Sequence, residues 1–434
     1  MYTVGFYTLG CKVSLYETEA VREKFESYGF VTADFDGVCD VYVINTCTVT
    51  AESDAKSRKY IRRAIRRNPD AVVIVLGCYS QRAPEEVAAI DGVSAVIGTQ
   101  NKLSAVDIAN KLLAERKREP ECLVTPLSGA PFEPMCVKSA SRTRAYVKIE
   151  DGCECKCTYC AIASARGPVR SKPRAEVIEE VEGLYGNGTL EVVLTGIETG
   201  SYGADLDENY RLGDLLSELS ERGSCKRVRL GSMAPELLSE SFIDKVASLP
   251  ILVPHFHVSM QSGSDRVLAA MRRRYNSGQA LKNIDKIRER IPGCMITADL
   301  MVGFPGESEE DFLATLDFVR RARLLDAHVF AYSRREGTPA AEYGGQIPES
   351  VKRDRSARLI AEKNRVRDEL LSEVVREGRA LSCIFESREG EVYTAHSDSY
   401  IEVRVTSDEE LSGKLIDVIP ERAENGIIYG KLAK

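Results

Sequence analysis

Short apolar runs alternate with longer amphipathic stretches over about the first 115 residues of the chain. Runs of this length are typical of buried strands, whereas the longer stretches repeat apolar residues at helical spacing. Four strands are predicted at YTVGFYT, DVYVINT, AVVIVLG and SAVIGT, and helices at LYETEAVREKFESYG, AESDAKSRKYIRRAIRRN, APEEVAAI and LSAVDIANKLLAERKR. This alternation of strands and helices predicts a parallel α/β sheet.

A second alternating block follows a segment with several prolines, at about residues 116–140, which predicts a linker. Its strands are predicted at AYVKI, LEVVLTG, RVRLGS, HFHVSM, MITADLMVG and DAHVFAY, with helical patterns such as SEEDFLATLDFVRRAR between them. Six β/α units predict an open or partial α/β barrel.

The last part of the chain changes character twice. SVKRDRSARLIAEKNRVRDELLSEVVREG predicts one long polar helix, and short strands and turns from about residue 378 predict a small all-β barrel. The predicted fold class is therefore α/β with an all-β tail. Its domains are expected at 1–116, at 139–369 for the partial barrel with its trailing helix, and at 370–434.

Composition limits the classes of protein to consider. The 434 residues are 43% hydrophobic, and no apolar run approaches the roughly 20 residues of a membrane helix, so no membrane partner is expected. The 13 cysteines are an odd number in a long chain, which favours the reducing cytoplasm over a secreted disulfide scaffold. A net charge of −7 argues against general nucleic-acid binding, so an RNA partner would have to be held by local basic patches.

Cys11, Cys47 and Cys78 each come just after the carboxyl end of a predicted strand. Such ends lie together along one edge of a parallel sheet, so the three thiols are expected to converge. Three thiolates suit a soft metal or an iron–sulfur cluster with one open position. The alternative is that they are ordinary small buried residues. That alternative is adopted for six other cysteines: Cys39, Cys122, Cys136, Cys225, Cys294 and Cys383.

Four further cysteines lie within eight residues in CECKCTYC, directly after the first predicted barrel strand. Cys153, Cys157 and Cys160 have the spacing C-x3-C-x2-C, and Cys155 falls inside the first gap and is expected to be spare. A structural zinc site needs four ligands, commonly including a second cysteine or histidine pair, and no second C-x2-C is present. Three thiolates instead leave one iron of a [4Fe–4S] cluster open to a substrate.

The spacing, with Tyr159 before the last cysteine, resembles the radical S-adenosylmethionine (SAM) superfamily. Eight motifs in order resemble the methylthiotransferase family: TLGCKVSLYETE, VINTCTVT, GCYSQR, EDGCECKCTYC, LTGIETGSYG, MQSGSDRVLAAMRRRY, DLMVGFPGE and YSRREGTPA. The resemblance covers nearly the whole chain and implies an N-terminal cluster domain, a radical SAM barrel and a C-terminal TRAM barrel. Two residues depart from the family pattern: Ser14 stands where asparagine is common, and Glu198 where the favoured branch often has histidine.

The TLGCKVSLYE and LTGIETGSYG motifs are most similar to the branch that acts on tRNA. This branch transfers a methylthio group to C2 of N6-threonylcarbamoyladenosine, next to the anticodon. SAM cleavage supplies a radical that removes hydrogen from an unactivated C–H bond, which acid–base chemistry cannot readily do. Alternative substrates are N6-isopentenyladenosine in tRNA and a ribosomal protein aspartate. A non-catalytic Fe–S or zinc RNA-binding protein is the alternative of another class.

The resemblance implies SAM and two [4Fe–4S] clusters as cofactors. The clusters are expected to be held by two sets of cysteines: Cys11, Cys47 and Cys78 in one, and Cys153, Cys157 and Cys160, on which catalysis depends, in the other. Contacts to SAM are expected after successive barrel strands. These residues are Tyr159; Thr195, Gly196 and Glu198 near the amino group; Gln261 and Ser262 near the ribose; and Gly303 near the adenine.

Basic runs are candidates for contacts to tRNA phosphates, although any single run is also compatible with a solvated helix face. They comprise Lys56, Arg58, Lys59, Arg62, Arg63, Arg66 and Arg67; Arg142 and Arg144; Arg166, Arg170 and Arg174; Arg272, Arg273 and Arg274; and Lys352, Arg353, Arg355 and Arg358. The tail is acidic, so RNA binding there follows from the resemblance alone. The target base is expected to leave the anticodon-loop stack. An electron donor such as flavodoxin or ferredoxin and a sulfur source are expected as further partners.

Overall fold

The computed structural model describes residues 1–115, 119–139, 143–206 and 209–433. Arg142, one of the arginines predicted to contact phosphates, lies outside the described residues. In chain order, the described residues form a parallel α/β sheet, a partial barrel and a small closed barrel.

The N-terminal part is a parallel sheet of six strands in the spatial order β2-β1-β3-β4-β5-β6. The strands are β1 (Thr3–Thr8), β2 (Val31–Ala33), β3 (Val41–Thr46), β4 (Val72–Gly77), β5 (Ala95–Ile97) and β6 (Glu121–Leu123). The helices are α1 (Lys12–Ser27), α2 (Ala51–Arg67), α3 (Cys78–Arg82), α4 (Pro84–Ala88) and α5 (Ala105–Glu115). The four predicted strands are confirmed.

Helices cover both faces of this sheet, which is why β3 and β4 are continuous apolar runs. Val41 and Val43 face α1 and α5, whereas Tyr42 and Ile44 face α2 and α4. One expectation needs correction. The segment predicted as a linker contains β6, which pairs with β5 and so extends the sheet beyond residue 116. With only three residues, β6 is too short to show a pattern of its own.

The second part is a partial barrel of parallel strands, as predicted. Two sheets, β11-β10-β7 and β12-β13-β14-β15, follow one another, since only Gly231 separates β11 from β12. The strands are β7 (Arg144–Lys148), β10 (Glu191–Thr195), β11 (Arg227–Leu230), β12 (Ser232–Met233), β13 (His255–Gln261), β14 (Met295–Val302) and β15 (Asp326–Ala331), with a separate pair β8 (Glu150–Asp151) and β9 (Arg170–Ser171). The helices are α6 (Ile162–Arg166), α7 (Arg174–Gly186), α8 (Leu212–Arg222), α9 (Glu240–Val246), α10 (Asp265–Ala270), α11 (Ser277–Arg290) and α12 (Glu309–Ala322).

The long helix α13 (Glu349–Glu377) joins the partial barrel to the tail and packs against β15 and β19. The tail is a closed barrel in the order β16-β17-β18-β20-β19, which confirms the predicted all-β domain. Its strands are β16 (Leu381–Glu389), β17 (Val392–Ser397), β18 (Glu402–Thr406), β19 (Leu415–Glu424) and β20 (Ile427–Leu432). Within the described ranges, no helix combines the length and apolar character that crossing a membrane requires.

Candidate active site

Cys11, Cys47 and Cys78 lie at one edge of the N-terminal sheet. They follow β1, β3 and β4, which are neighbours in the sheet. Cys11 is the N-cap of α1, and Cys78 is the first residue of α3. Gly10 has φ +123°, and a Cβ there would lie 3.4 Å from the Cβ of Cys47. The chain therefore brings these sulfurs together where strand ends and helix N-termini meet.

Ser14, the departure from the family pattern, is buried directly below Cys11. Its hydroxyl lies 3.9 Å from the Cys11 sulfur, and a Cβ at Gly10 would come within 2.8 Å of that hydroxyl. The Asn45 amide holds the backbone of the same turn by donating to the Ser14 carbonyl at 3.0 Å. Ser14 therefore packs against both the turn at Gly10 and the first cysteine.

The second cysteine set lies on the loop between β8 and α6. The backbone N–H of Cys153 donates to Gly167, and that of Cys160 donates to Cys157, which folds the loop back on itself. The N–H of Ile162, at the start of α6, lies 3.3 Å from the Cys160 sulfur. Tyr159 packs on the apolar cluster that includes Phe304. Cys155 stays beside the set, its N–H 3.5 Å from the Cys153 sulfur.

The spacing of both cysteine sets tests which metal group they fit. Zn–S bonds of about 2.3 Å in a tetrahedron place sulfurs roughly 3.8 Å apart. Among the described residues, the one group of three potential ligands whose atoms all lie within 4.8 Å of one another is His257, Asp299 and His328. Neither cysteine set has all three sulfurs within that limit. An iron–sulfur cluster spreads its ligands over several irons and therefore accepts thiolates at wider spacing than one zinc ion does.

A buried network of charges around Glu17 joins α1 to the partial barrel beside the first cysteine set. This carboxylate is fully buried in α1, and its Oε1 lies 2.5 Å from Arg166 Nη1 and 3.1 Å from the Nζ atoms of both Lys102 and Lys148. Burial alone would raise the pKa of Glu17. The three cations outweigh burial and hold the pKa well below its usual range.

Arg166 carries this network to a cysteine of the other domain. It lies six residues after Cys160, and its Nε donates to the Cys78 sulfur at 3.1 Å. Burial raises the pKa of Cys78 to about 12, and the Arg166 charge opposes that rise. The network contains one more cation than carboxylates, a surplus that suits a thiolate at Cys78. Its members are Lys102, Lys148, Arg166 and Arg170, with Glu17, Glu133 and Asp151.

Several arginines predicted to contact RNA phosphates instead point inward. Arg166 and Arg170 are buried in the network between the domains. Arg273 donates from Nη1 to the Cys157 sulfur at 3.2 Å and from Nε to the Tyr275 hydroxyl at 2.9 Å. Within the MRRRY run, Arg273 therefore contacts the second cysteine set, whereas Arg272 and Arg274 are exposed. The spacing of these runs could not reveal this, because partner choice depends on contacts distant in sequence.

The remaining basic runs also contain both paired, inward-pointing cations and exposed ones. Arg355 is buried against Glu307, Lys352 donates to a backbone carbonyl, and Arg144 pairs with Glu191 at 2.9 Å. Helix α2 keeps the predicted basic face. Its exposed cations are Lys56, Lys59, Arg62, Arg66 and Arg67.

The residues predicted near the SAM amino group lie at the carboxyl end of β10. Thr195 and Glu198 are buried, and Glu198 Oε1 accepts from the Ala234 N–H at 3.0 Å. Burial raises the pKa of Glu198 to about 8. Glu150 was not predicted from the sequence. Its Oε2 accepts from the Glu198 N–H at 2.9 Å and would lie 2.3 Å from a Cβ at Gly196. Its position in KIEDGC, just before the cysteines, was the available signal.

The residues predicted near the ribose and adenine lie on neighbouring strands. Gln261 has φ +67° where the register of β13 against β14 shifts, a conformation that is uncommon outside glycine. Ser262 is buried beside Thr315. Gly303 has φ +74°, and a Cβ there would lie 2.4 Å from the Lys352 side chain. The glycine is therefore needed for this turn.

A cavity of about 540 Å³ lies between the N-terminal sheet and the interior of the partial barrel. Cys11 and Lys12 line one side, and Thr195 and Gly196 line another. The barrel strands contribute Arg229, His255, Thr297 and the group of three noted above, and the tail contributes Tyr400. The cavity thus brings Cys11 of the first set beside Thr195 and Gly196, two of the residues predicted to contact SAM.

The group of three is held by hydrogen bonds within the cavity wall. Asp299 lies 3.2 Å from His257 Nε2 and 3.3 Å from His328 Nδ1. The other ring nitrogen of His257 contacts the Thr297 hydroxyl at 2.8 Å. Hydrogen bonding to Asp299 raises the pKa of His328. The negative charge of Asp299 is therefore already shared between two imidazoles.

Two family models match the chain: the Radical SAM superfamily at residues 147–319 and the Uncharacterized protein family UPF0004 at residues 3–98. The threonylcarbamoyladenosine tRNA methylthiotransferase MtaB of Bacillus subtilis is 40% identical, over 96% of this chain and 93% of the relative. The protein of the same name from Aquifex aeolicus is 34% identical, over 96% and 99%.

A tRNA-2-methylthio-N(6)-dimethylallyladenosine synthase of Saccharopolyspora erythraea is 34% identical over 96% of this chain and 84% of the relative. Among solved structures, the radical S-adenosylmethionine methyltransferase TsrM of Kitasatospora setae has a TM-score of 0.57 at 16% identity, covering 90% of this chain and 79% of that one. That likeness concerns the fold alone. The chain belongs to the radical SAM methylthiotransferase family, whose cofactors are SAM and [4Fe–4S] clusters.

Proposed function

We propose that this protein transfers a methylthio group to C2 of N6-threonylcarbamoyladenosine in tRNA. The observation that carries the proposal is the cavity that Cys11 lines together with Thr195 and Gly196, two of the residues predicted to contact SAM. The relatives named threonylcarbamoyladenosine tRNA methylthiotransferase, which match over nearly the whole chain, support the choice of substrate. Similar coverage by the dimethylallyladenosine synthase makes that modification the competing substrate.

In this proposal the six cysteines hold two [4Fe–4S] clusters in the sets already described. When bound, SAM at the open iron of the barrel cluster supplies the oxidising radical chemistry. The protein's own residues bind and orient SAM. The carboxyl groups of Glu150 and Glu198 and the turns at Gly196 and Gly303 shape the SAM site.

The proposal also requires that RNA reaches the cavity. Helix α2 offers an exposed row of cations beside the first cysteine set, suited to phosphates. The adenosine has to flip out of the anticodon loop to enter the cavity. An electron donor such as flavodoxin or ferredoxin and a source of sulfur are part of the same proposal, which places the reaction in the cytoplasm.

Mass spectrometry of tRNA nucleosides tests the proposal. A strain that lacks the gene should accumulate threonylcarbamoyladenosine without its methylthio group, and the intact gene should restore the product. A gene encoding Cys157→Ala should not restore it. Loss of the methylthio group from isopentenyladenosine instead would assign the competing substrate. Unchanged tRNA nucleosides would reject both and favour the ribosomal protein or a non-catalytic role.

The same variant gives a second readout in purified protein. Anaerobically reduced protein with SAM should release 5′-deoxyadenosine, and Cys157→Ala should abolish the release. Undiminished release from the variant would contradict the assignment of the barrel cysteines.

A further inference from the structure

The proposed function assigns no role to Lys12, a cation beside the first cysteine set. It follows Cys11 as the first residue of α1, and its side chain lines the cavity. Among the described residues its ammonium group has neither a hydrogen bond nor an ion pair, and the residue is half-buried. A half-buried ammonium group that lines a cavity and pairs with no acid is available to an anionic group of a ligand.

Among the described residues, no carboxylate of the cavity wall forms an ion pair with Lys12, and Asp299 acts on it only at longer range. Asp299 is shared between two histidines, Asp326 pairs with Lys363, and Glu402 lies 3.0 Å from Arg404. Each of these acids therefore has a cationic or imidazole partner of its own. Lys12 is left with its positive charge directed at the space between the domains.

Other polar groups lie near Lys12 in the cavity wall. Arg229 lines the cavity, but its guanidinium group is already paired with Glu191 at 2.7 Å. His255 adds a polar site. Its Nε2 contacts Thr297, whereas its buried Nδ1 has no partner among the residues described.

We propose that the cavity accepts an adenosine whose N6 substituent carries a carboxylate, and that Lys12 binds this carboxylate. The inference rests on the proposed function, because threonylcarbamoyladenosine has such a carboxylate and isopentenyladenosine does not. Lys12 is then a specificity-determining residue. Leaving its ammonium group unpaired penalises a neutral substituent, which is how a buried charged site rejects a ligand that lacks the matching group.

Binding of short anticodon stem–loop RNAs tests this inference without turnover. Full-length protein with both clusters is titrated, in the absence of reductant, with stem–loops that carry threonylcarbamoyladenosine, its methyl ester, isopentenyladenosine or adenosine. The carboxylate form should bind about 10- to 100-fold more tightly than the ester, because the ester removes one hydrogen bond between charged groups. This comparison changes only the ligand, so it does not depend on a variant that folds.

Variants of the protein then test whether Lys12 causes the preference for the carboxylate form. Lys12→Gln should remove the preference for the carboxylate form, and Lys12→Arg should retain most of it. The matched control is Lys24→Gln on the same helix, whose ammonium group lies over the Tyr28 ring and does not line the cavity. Iron content is measured for each variant, because Lys12 adjoins a cluster cysteine.

Three results would overturn the inference. Equal binding of the carboxylate and the ester by the wild-type protein excludes recognition of the carboxylate. A uniform loss of affinity for all four stem–loops in Lys12→Gln would assign the lysine to an RNA phosphate. Weaker SAM binding with intact discrimination would assign it to the SAM carboxylate. Failure of the proposed function is separate, since it appears as unchanged nucleosides in the tRNA of the deletion strain.

Discussion

Replacing Glu17 by glutamine tests whether the buried charge network holds the two cluster domains together. The substitution keeps the shape of the side chain and removes the negative charge that contacts Arg166, Lys102 and Lys148. All four side chains are fully buried, so water cannot replace the missing charge. Removing one partner of a buried ion pair costs about 3–5 kcal/mol, and here three cations lose it together.

Hydrogen exchange of the protein with both clusters loaded measures this cost at the interface. Peptides from α1 and α6 should exchange at least about 100-fold faster in Glu17→Gln, since each 1.4 kcal/mol corresponds to roughly a factor of ten. Glu19→Gln is the matched control. Glu19 lies on the same helix and pairs with the partly exposed Arg22, a contact worth about 1 kcal/mol or less.

The outcome decides between two accounts of the network. If Glu17→Gln exchanges within a few-fold of the wild type, as the control should, then the buried charges do not hold the domains together. The predicted cost of removing the buried negative charge would then be wrong. Iron content of the variant is measured in parallel, because Arg166 also contacts Cys78 and links the network to the first cysteine set.

Three further predictions concern the SAM region. Cys155→Ser should keep about four irons at the barrel site by iron analysis, whereas loss of that iron would make the residue a ligand. Gly196→Ala should weaken SAM binding measured by calorimetry, because the new Cβ would lie 2.3 Å from Glu150 Oε2. The control Gly183→Ala should leave SAM binding unchanged, because a Cβ at Gly183 meets open space. Glu198 has a pKa of about 8 in the folded protein against an ordinary 4.5, so folding retains a proton that unfolding releases. The free energy of unfolding should therefore fall by up to about 1.4 kcal/mol per pH unit as pH rises from 4.5 to about 8. Thermal melts at pH 6 and pH 8 should show a smaller loss of stability for Glu198→Gln than for the wild type. An equal loss in both proteins would contradict the assigned pKa.

Much of the fold was accessible from local patterns. Buried strands covered on both faces are continuous apolar runs, so β3 and β4 were evident from the sequence. The cysteines after β1, β3 and β4 could be placed at one sheet edge, because parallel strands in neighbouring positions end together. Short elements were not accessible. β6 has three residues and is held by pairing with β5, a contact that no periodicity reveals.

Basic residues show what a pattern cannot decide. Arg166 and the exposed arginines of α2 have the same side chain and lie in similarly charged runs, yet one is buried against a cysteine and the others face solvent. Only the fold brings Arg166 to Glu17, which is 149 residues distant. The sequence alone determined the long strands and helices and the candidate cysteine sets, because these depend on neighbours along the chain. The tertiary structure decided which charges are paired and that Lys12 has no ion pair among the described residues, because pairing depends on which distant segments pack together.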